Sequence, residues 1–226
     1  MLRNTFFILL TIINLNTFAN DSQSDLHASY IFYYKNMAAG TMDLKMRNDN
    51  NDFIVSTTYD GNFIASLASK GFREEKVYLK RKDGNLIPKR YTYVDDKESY
   101  EVIFEGKRAK IISDSSETIS LESRNLIYDP ISMLVLLMQN SNYADQAYSV
   151  ISKKKLKIYD YKFRNHVIYS INGKDFNCYS AEYTSGNKTN YYFFSKDHNN
   201  LLISMRIDKN KKEKIRIDLS DIHSLN

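Results

Sequence analysis

Twelve residues, Asp129–Asn140 (DPISMLVLLMQN), constrain the fold more than any others in this chain. Ile131, Met133, Leu134, Val135, Leu136, Leu137 and Met138 spread around the axis of any helix they form, and only Ser132 interrupts them. A helix that is apolar on every side has no face for water, so the rest of the chain must enclose it. Asp129 supplies an N-cap acceptor. Pro130 fits the first helical position, where a missing N–H costs nothing, and the Ser132 hydroxyl supports the first turn. At about 1.5 Å per residue the segment spans roughly 18 Å, long enough to plug a sheet and too short to cross a bilayer.

What surrounds it reads as strand after strand. Tyr100, Val102 and Phe104 alternate with Glu101, Ile103 and Glu105. The same period of two runs through Ser29–Tyr34, through Met42, Leu44 and Met46, and through Phe53, Val55, Thr57 and Tyr59. Leu201, Ile203, Met205 and Ile207 repeat it near the C-terminus. Tyr (18) and Phe (12) outnumber Gly (7) and Pro (2), a balance that favours pleated sheet. Turns are signalled at Asp83-Gly84-Asn85, Glu105-Gly106-Lys107 and Ser185-Gly186-Asn187, with a type I′ turn at Asn172-Gly173. Loops this short exclude crossover helices, so the pairing is expected to be antiparallel throughout. Pro88 is expected on an edge strand, and Asn62–Ser69 reads as two short helical turns. No linker or fixed-period repeat divides residues 20–226, which form one β-rich domain. The expected fold class is mainly β with one buried helix (α+β), a strongly curved antiparallel sheet.

Residues 1–19 read as a secretory signal peptide. Arg3 and the free amine give a positive start, Phe6–Ile13 a short apolar core, and Thr17-Phe18-Ala19 a cleavage site after Ala19. The apolar run is about half of what a membrane span needs, so no transmembrane segment is expected in the mature chain. Cys178 is the only cysteine, which rules out an internal disulfide; its alternation with Phe176 marks a small buried core residue. The formal net charge of +5 is dispersed among many acids, with no basic stripe along a recognition helix. Nucleic acid is therefore not expected as a partner. The Lys153-Lys154-Lys155 and Lys209–Lys214 runs solvate turns; contact with anionic head groups is the lesser reading.

No catalytic constellation emerges. Ser132 lies in no G-x-S-x-G elbow, and His27, His166, His198 and His223 show no metal-ligand spacing, so neither a metal nor another cofactor is expected. Acid pairs such as Glu74-Glu75 and Asp95-Asp96 are placed on exposed strand or turn positions. The functional lead is again the helix. Ile131, Met133, Leu134, Leu137 and Met138, together with Met42 and Met205 from strands, are the candidate walls of an apolar cavity. Asp129, Pro130 and Ser132 form the helix cap. Methionine adapts to irregular apolar surfaces, and a curved aromatic sheet closed by a helix can enclose a lipid-sized space.

Aromatic strands after a leader, the Ala39-Gly40 step, Pro88 after a hairpin, and Tyr128-Asp129-Pro130-Ile131-Ser132 opening an apolar helix also carry a resemblance. In these motifs the chain resembles the exported bacterial proteins of domain of unknown function 3108. The resemblance implies a periplasmic protein of a Gram-negative bacterium with a half-barrel similar to those of the lipoprotein carriers LolA and LolB. On this basis the expected role is binding of a lipid or other apolar ligand in a half-barrel. The alternative is an envelope scaffold that binds a protein partner and has no ligand cavity. A hydrolytic enzyme ranks third, and a non-enzyme is expected.

Overall fold

A computed structural model describes residues 25–49, 52–61, 71–115, 117–139 and 144–224. The signal-peptide reading of residues 1–19 and the helical turns read at residues 62–69 lie outside them. Eight strands come first: β1 (Leu26–Tyr34), β2 (Met37–Asp49), β3 (Asp52–Gly61), β4 (Phe72–Lys82), β5 (Asn85–Asp95), β6 (Ser99–Glu105), β7 (Arg108–Ser113) and β8 (Thr118–Glu122). A two-residue β9 (Ile127–Tyr128) leads into helix α1 (Pro130–Gln139). The rest are β10 (Gln146–Ser152), β11 (Lys155–Ile171), β12 (Lys174–Ser185), β13 (Lys188–Ser195), β14 (Leu201–Lys209) and β15 (Lys212–Ser224). A 3-10 turn, Lys196–His198, follows β13.

All fifteen strands belong to one sheet, built from the meander β1–β8 and the meander β10–β15. The two join where the first strand pairs with the last, β1 against β15. The sheet curls without closing, and α1 is the one α-helix among the described residues. Its two ends meet near β9: the Ile127 amide donates to Gly106 O at 3.1 Å, and the Ser123 and Ser149 hydroxyls lie 2.7 Å apart.

Antiparallel pairing fails at one place. β9 runs parallel to β10, with Ile127 opposite Ser149 and Tyr128 opposite Val150. Parallel neighbours need a crossover of a dozen or more residues, and α1 with its flanks is that crossover. Pro88 lies on β5, a strand between β4 and β6, but at a locally open edge where it has a partner on β4 alone. The β5–β6 ladder covers only Arg90–Val94, and the bulge against β4 falls between Pro88 and Arg90. The missing N–H of Pro88 therefore leaves no gap in that ladder. On β14 a bulge opposite Phe193-Phe194 breaks the alternation, so Ile203 turns to the outer face while Leu201, Leu202 and Met205 stay inside.

Inward residues from both meanders pack around α1 in one core that includes Tyr30, Leu44, Val77, Ile111 and Leu137. Burying each such side chain contributes about 1.5–3 kcal/mol. Ile171, Phe176, Cys178, Phe193 and Ile203 form a smaller cluster on the outer face. Burial pushes the Cys178 thiol up to about 11, which makes it inert at neutral pH.

The Ala39-Gly40 step has a geometric cause. The β1–β2 register shifts between Phe32 and Tyr33, leaving Ala39 as the extra, fully buried residue. Gly40 then faces Gly61, and a Cβ on it would stand 2.3 Å from Asp60 O and 2.8 Å from Gly61 Cα. Both obstacles are backbone. Gly40→Ala is expected to lower stability by about 1–3 kcal/mol, read as a lower denaturant midpoint at unchanged slope.

Candidate functional site

The interior divides into an apolar body and a polar, tyrosine-lined region around the start of α1. Asp129 is fully buried. Its Oδ1 accepts the amides of Ile131 and Ser132, both at 2.9 Å, and Ser132 Oγ accepts the Asp129 amide at 2.9 Å. This reciprocal cap satisfies the first-turn donors inside the protein, where water cannot. Among the described residues Oδ2 of Asp129 has no hydrogen-bond partner, although it is buried. Burial raises this carboxyl to about 6; the hydrogen bonds from Ser132 and Ile131 oppose the rise and the Glu75 charge adds to it. At the other end of the helix, the Tyr179 hydroxyl donates to Leu137 O at 2.6 Å and so satisfies one of the orphan carbonyls.

Glu75 and Asp95, expected on the surface, are both buried. Glu75 points inward with Val77 and Leu79, the apolar side of β4. Its Oε2 accepts the Tyr91 hydroxyl at 2.7 Å, and its Oε1 stands 3.0 Å from Arg73 Nε as an ion pair. Arg73 in turn lies over the Tyr59 ring at 3.9 Å. Asp95 Oδ2 accepts the Tyr93 hydroxyl at 2.6 Å, while Oδ1 takes the amides of Lys97 and Glu98. Tyr93 and Tyr100 stack at 4.9 Å. Burial, followed by the neighbouring Glu75 charge, holds the Tyr91 and Tyr100 phenols protonated far above the ordinary range.

Among the described residues, two cavities flank this region. One, of about 50 Å³, lies between α1 and the second meander, and Met133, Leu134 and Leu137 line it. Its far wall is tyrosine: Tyr159 stacks on Tyr183 at 4.2 Å, with Tyr161 and Tyr192 beside them. The other, of about 110 Å³, lies against the seam of the two meanders, walled by Phe32, Met205, Ile207, Ile215 and Ile217 and ending on Tyr59 and Arg73. Of the expected cavity residues, then, Met133, Leu134 and Leu137 share one wall and Met205 lines the other space. Ile131, Met138 and Met42 are packed into the main core. Pro130 borders the smaller cavity, whereas Asp129 and Ser132 serve the helix cap. Among the described residues no group of three or more His, Cys, Asp or Glu could hold a metal ion. No helix among them is long and apolar enough to cross a membrane.

No family model matches the chain, and no curated protein matches it. A solved structure does: the crystal structure of a β-barrel-like protein of domain of unknown function DUF1849 from Brucella abortus. The two superpose with a TM-score of 0.53 over 90% of this chain and 98% of that one, at 9% sequence identity. At that identity the likeness establishes the barrel-like fold alone.

Proposed function

We propose that this is an exported protein of the Gram-negative periplasm that holds an apolar or lipid-like ligand inside its curled sheet. The observation that carries the reading is the cavity of about 110 Å³, with an apolar wall and a polar end at Tyr59 and Arg73. Small-molecule sites usually enclose about 300–1,000 Å³. The space therefore suits a short apolar segment of a ligand, and a longer one enters by displacing a flexible wall residue such as Met205. The leader-like residues 1–19 support export, and the barrel-like fold is compatible with a carrier.

The test uses protein purified from a bacterial host. Mass spectrometry of its organic extract is expected to show a co-purifying apolar compound, and the protein is expected to take up a fluorescent fatty acid saturably. Met205→Trp fills the cavity and should weaken uptake at least tenfold while the far-UV spectrum stays the same. A clean extract together with absent uptake rejects the proposal. An envelope scaffold is less well supported. Among the described residues the two most exposed large apolar side chains, Ile158 (70%) and Ile168 (67%), share β11. They stand roughly 33 Å apart along it, too far to form one docking patch.

A further inference from the structure

At one end of the curled sheet, lysine occupies turn positions that favour other residues. Lys35, Lys153, Lys154 and Lys211 have a left-handed backbone, with φ of 49°, 52°, 59° and 62°. Glycine, asparagine and aspartate suit that conformation, and lysine is disfavoured in it. At the opposite end the left-handed turns are Asp83-Gly84, Gly106, Asn172-Gly173 and Asn199-Asn200, all of the favoured types. Three turns of the lysine end are joined into one surface. The Lys35 amide donates to Lys214 O at 3.0 Å, and the Asn210 amide donates to Asn187 O at 2.9 Å. Lys188 is directly opposite Lys209, and Lys209 is directly opposite Lys212. Like charges placed in this way destabilise a sheet. The carboxylates of the same hairpin are already paired with arginines, Asp208 with Arg206 at 3.1 Å and Glu213 with Arg216 at 3.6 Å. Lys35 and Lys214 place their ammonium groups 5.5 and 4.6 Å from the centre of the Tyr34 ring. A hydrogen bond from Lys214 and then, against burial, the charges of Lys214, Lys35 and Lys209 hold the Tyr34 phenol below its ordinary range.

We propose that this end docks on an anionic lipid bilayer, its lysines on the head groups and Met37 entering the interface between them. Met37 directly follows the Lys35-Asn36 turn and is 51% exposed, an apolar side chain set in the basic surface. Phe72, also exposed, begins β4 at the same end. Each lysine near an anionic membrane adds to the attraction, and an apolar contact supplies the second signal that stable adhesion needs. Single-stranded nucleic acid asks instead for aromatic platforms among the cations. Here the ring among the lysines, Tyr34, is half-buried beneath two ammonium groups, and the exposed side chain is methionine. The next inward-facing pair of the β14–β15 hairpin, Ile207 and Ile215, walls the larger cavity, so docking brings that cavity to the lipid. Asp60 lines the cavity too and is the carboxylate that opposes an anion there. Docking goes beyond the ligand reading and stands without it.

Co-sedimentation with vesicles tests this. The protein is expected to bind vesicles of equal parts phosphatidylglycerol and phosphatidylcholine, to ignore phosphatidylcholine alone, and to be released by high salt. Lys35→Asn, Lys209→Gln, Lys211→Asn and Lys212→Gln combined should weaken binding by about thirtyfold or more. Asparagine suits the two left-handed positions, and a far-UV spectrum verifies that the variant is folded. Met37→Ser, which leaves the charge unchanged, should weaken binding by about threefold or more. Lys82→Asn and Lys107→Asn, at the opposite end, should bind as the parent does. Fatty-acid uptake is measured in parallel, so a failure of docking is told apart from a failure of the cavity. Absence of binding to the anionic vesicles overturns the proposal, as does unchanged binding in the lysine variant or in Met37→Ser. Tighter binding to single-stranded DNA than to the vesicles also overturns it and reassigns the lysines to nucleic acid.

Discussion

Glu75→Ala is expected to destabilise the protein by about 3 kcal/mol, among the largest effects of any polar substitution in it. Breaking a buried ion pair from one side costs about 3–5 kcal/mol, because the surviving charge is left without compensation. Here the survivor is Arg73, whose side chain is 31% exposed, so water recovers part of the loss. The rest comes from Tyr91, whose hydroxyl, on a side chain only 1% exposed, loses its acceptor. An unsatisfied buried donor costs about 1–3 kcal/mol. Glu75→Gln keeps an acceptor for Tyr91 and the volume of the side chain, and should cost clearly less than the alanine variant. Urea denaturation of both variants checks the ordering. Equal losses would mean that packing, and not the Arg73–Glu75–Tyr91 network, governs the site.

That network was partly legible in the sequence. Arg73 and Glu75 share parity with Val77 and Leu79, so extending the alternation of β4 places them indoors. Reading Glu74-Glu75 as an exposed pair gave charge precedence over period, and period prevailed because Arg73 and Tyr91 satisfy the buried carboxylate. Periodicity and turn chemistry are local, so most strands and the apolar helix could be read directly. Non-local features could not. Nothing near His27 announces His223, nor does the two-residue β9 signal its parallel partner. The Lys35-Asn36 turn, with φ of 49° and 65°, carries no glycine to mark it, so β2 begins two residues before the Ala39-Gly40 step. The bulge on β11 between Arg164 and Val167 is likewise unmarked by glycine or proline, and the strand runs through it for 17 residues.

Asp129→Asn is expected to raise stability above pH 7 and to remove a pH dependence that the parent shows between about pH 4 and 6. The ordinary aspartate value is about 3.9; in the folded protein burial lifts Asp129 to about 6. A raised folded value means that the native state binds the proton more tightly than the unfolded chain. The resulting stabilisation is complete below about pH 4 and is lost as pH rises through 6. A rise of this size corresponds to about 3 kcal/mol, an upper bound on the gain from neutralising the group. Asparagine retains the oxygen that caps Ile131 and Ser132, and asparagine and aspartate are comparable caps. Asp129→Ala discards the cap too, so its relief of buried charge is offset by about 0.5–2 kcal/mol of lost capping. Asp43 acts with the opposite sign, its depressed carboxyl costing stability as pH falls, whereas Asp218, raised by burial, acts with the same sign as Asp129. Both are common to parent and variant, so subtracting the two stability curves isolates Asp129. A difference curve that is flat from pH 4 to 7 would show that the orphaned Oδ2 carries no unusual charge penalty, and that Asp129 is a helix cap and nothing more.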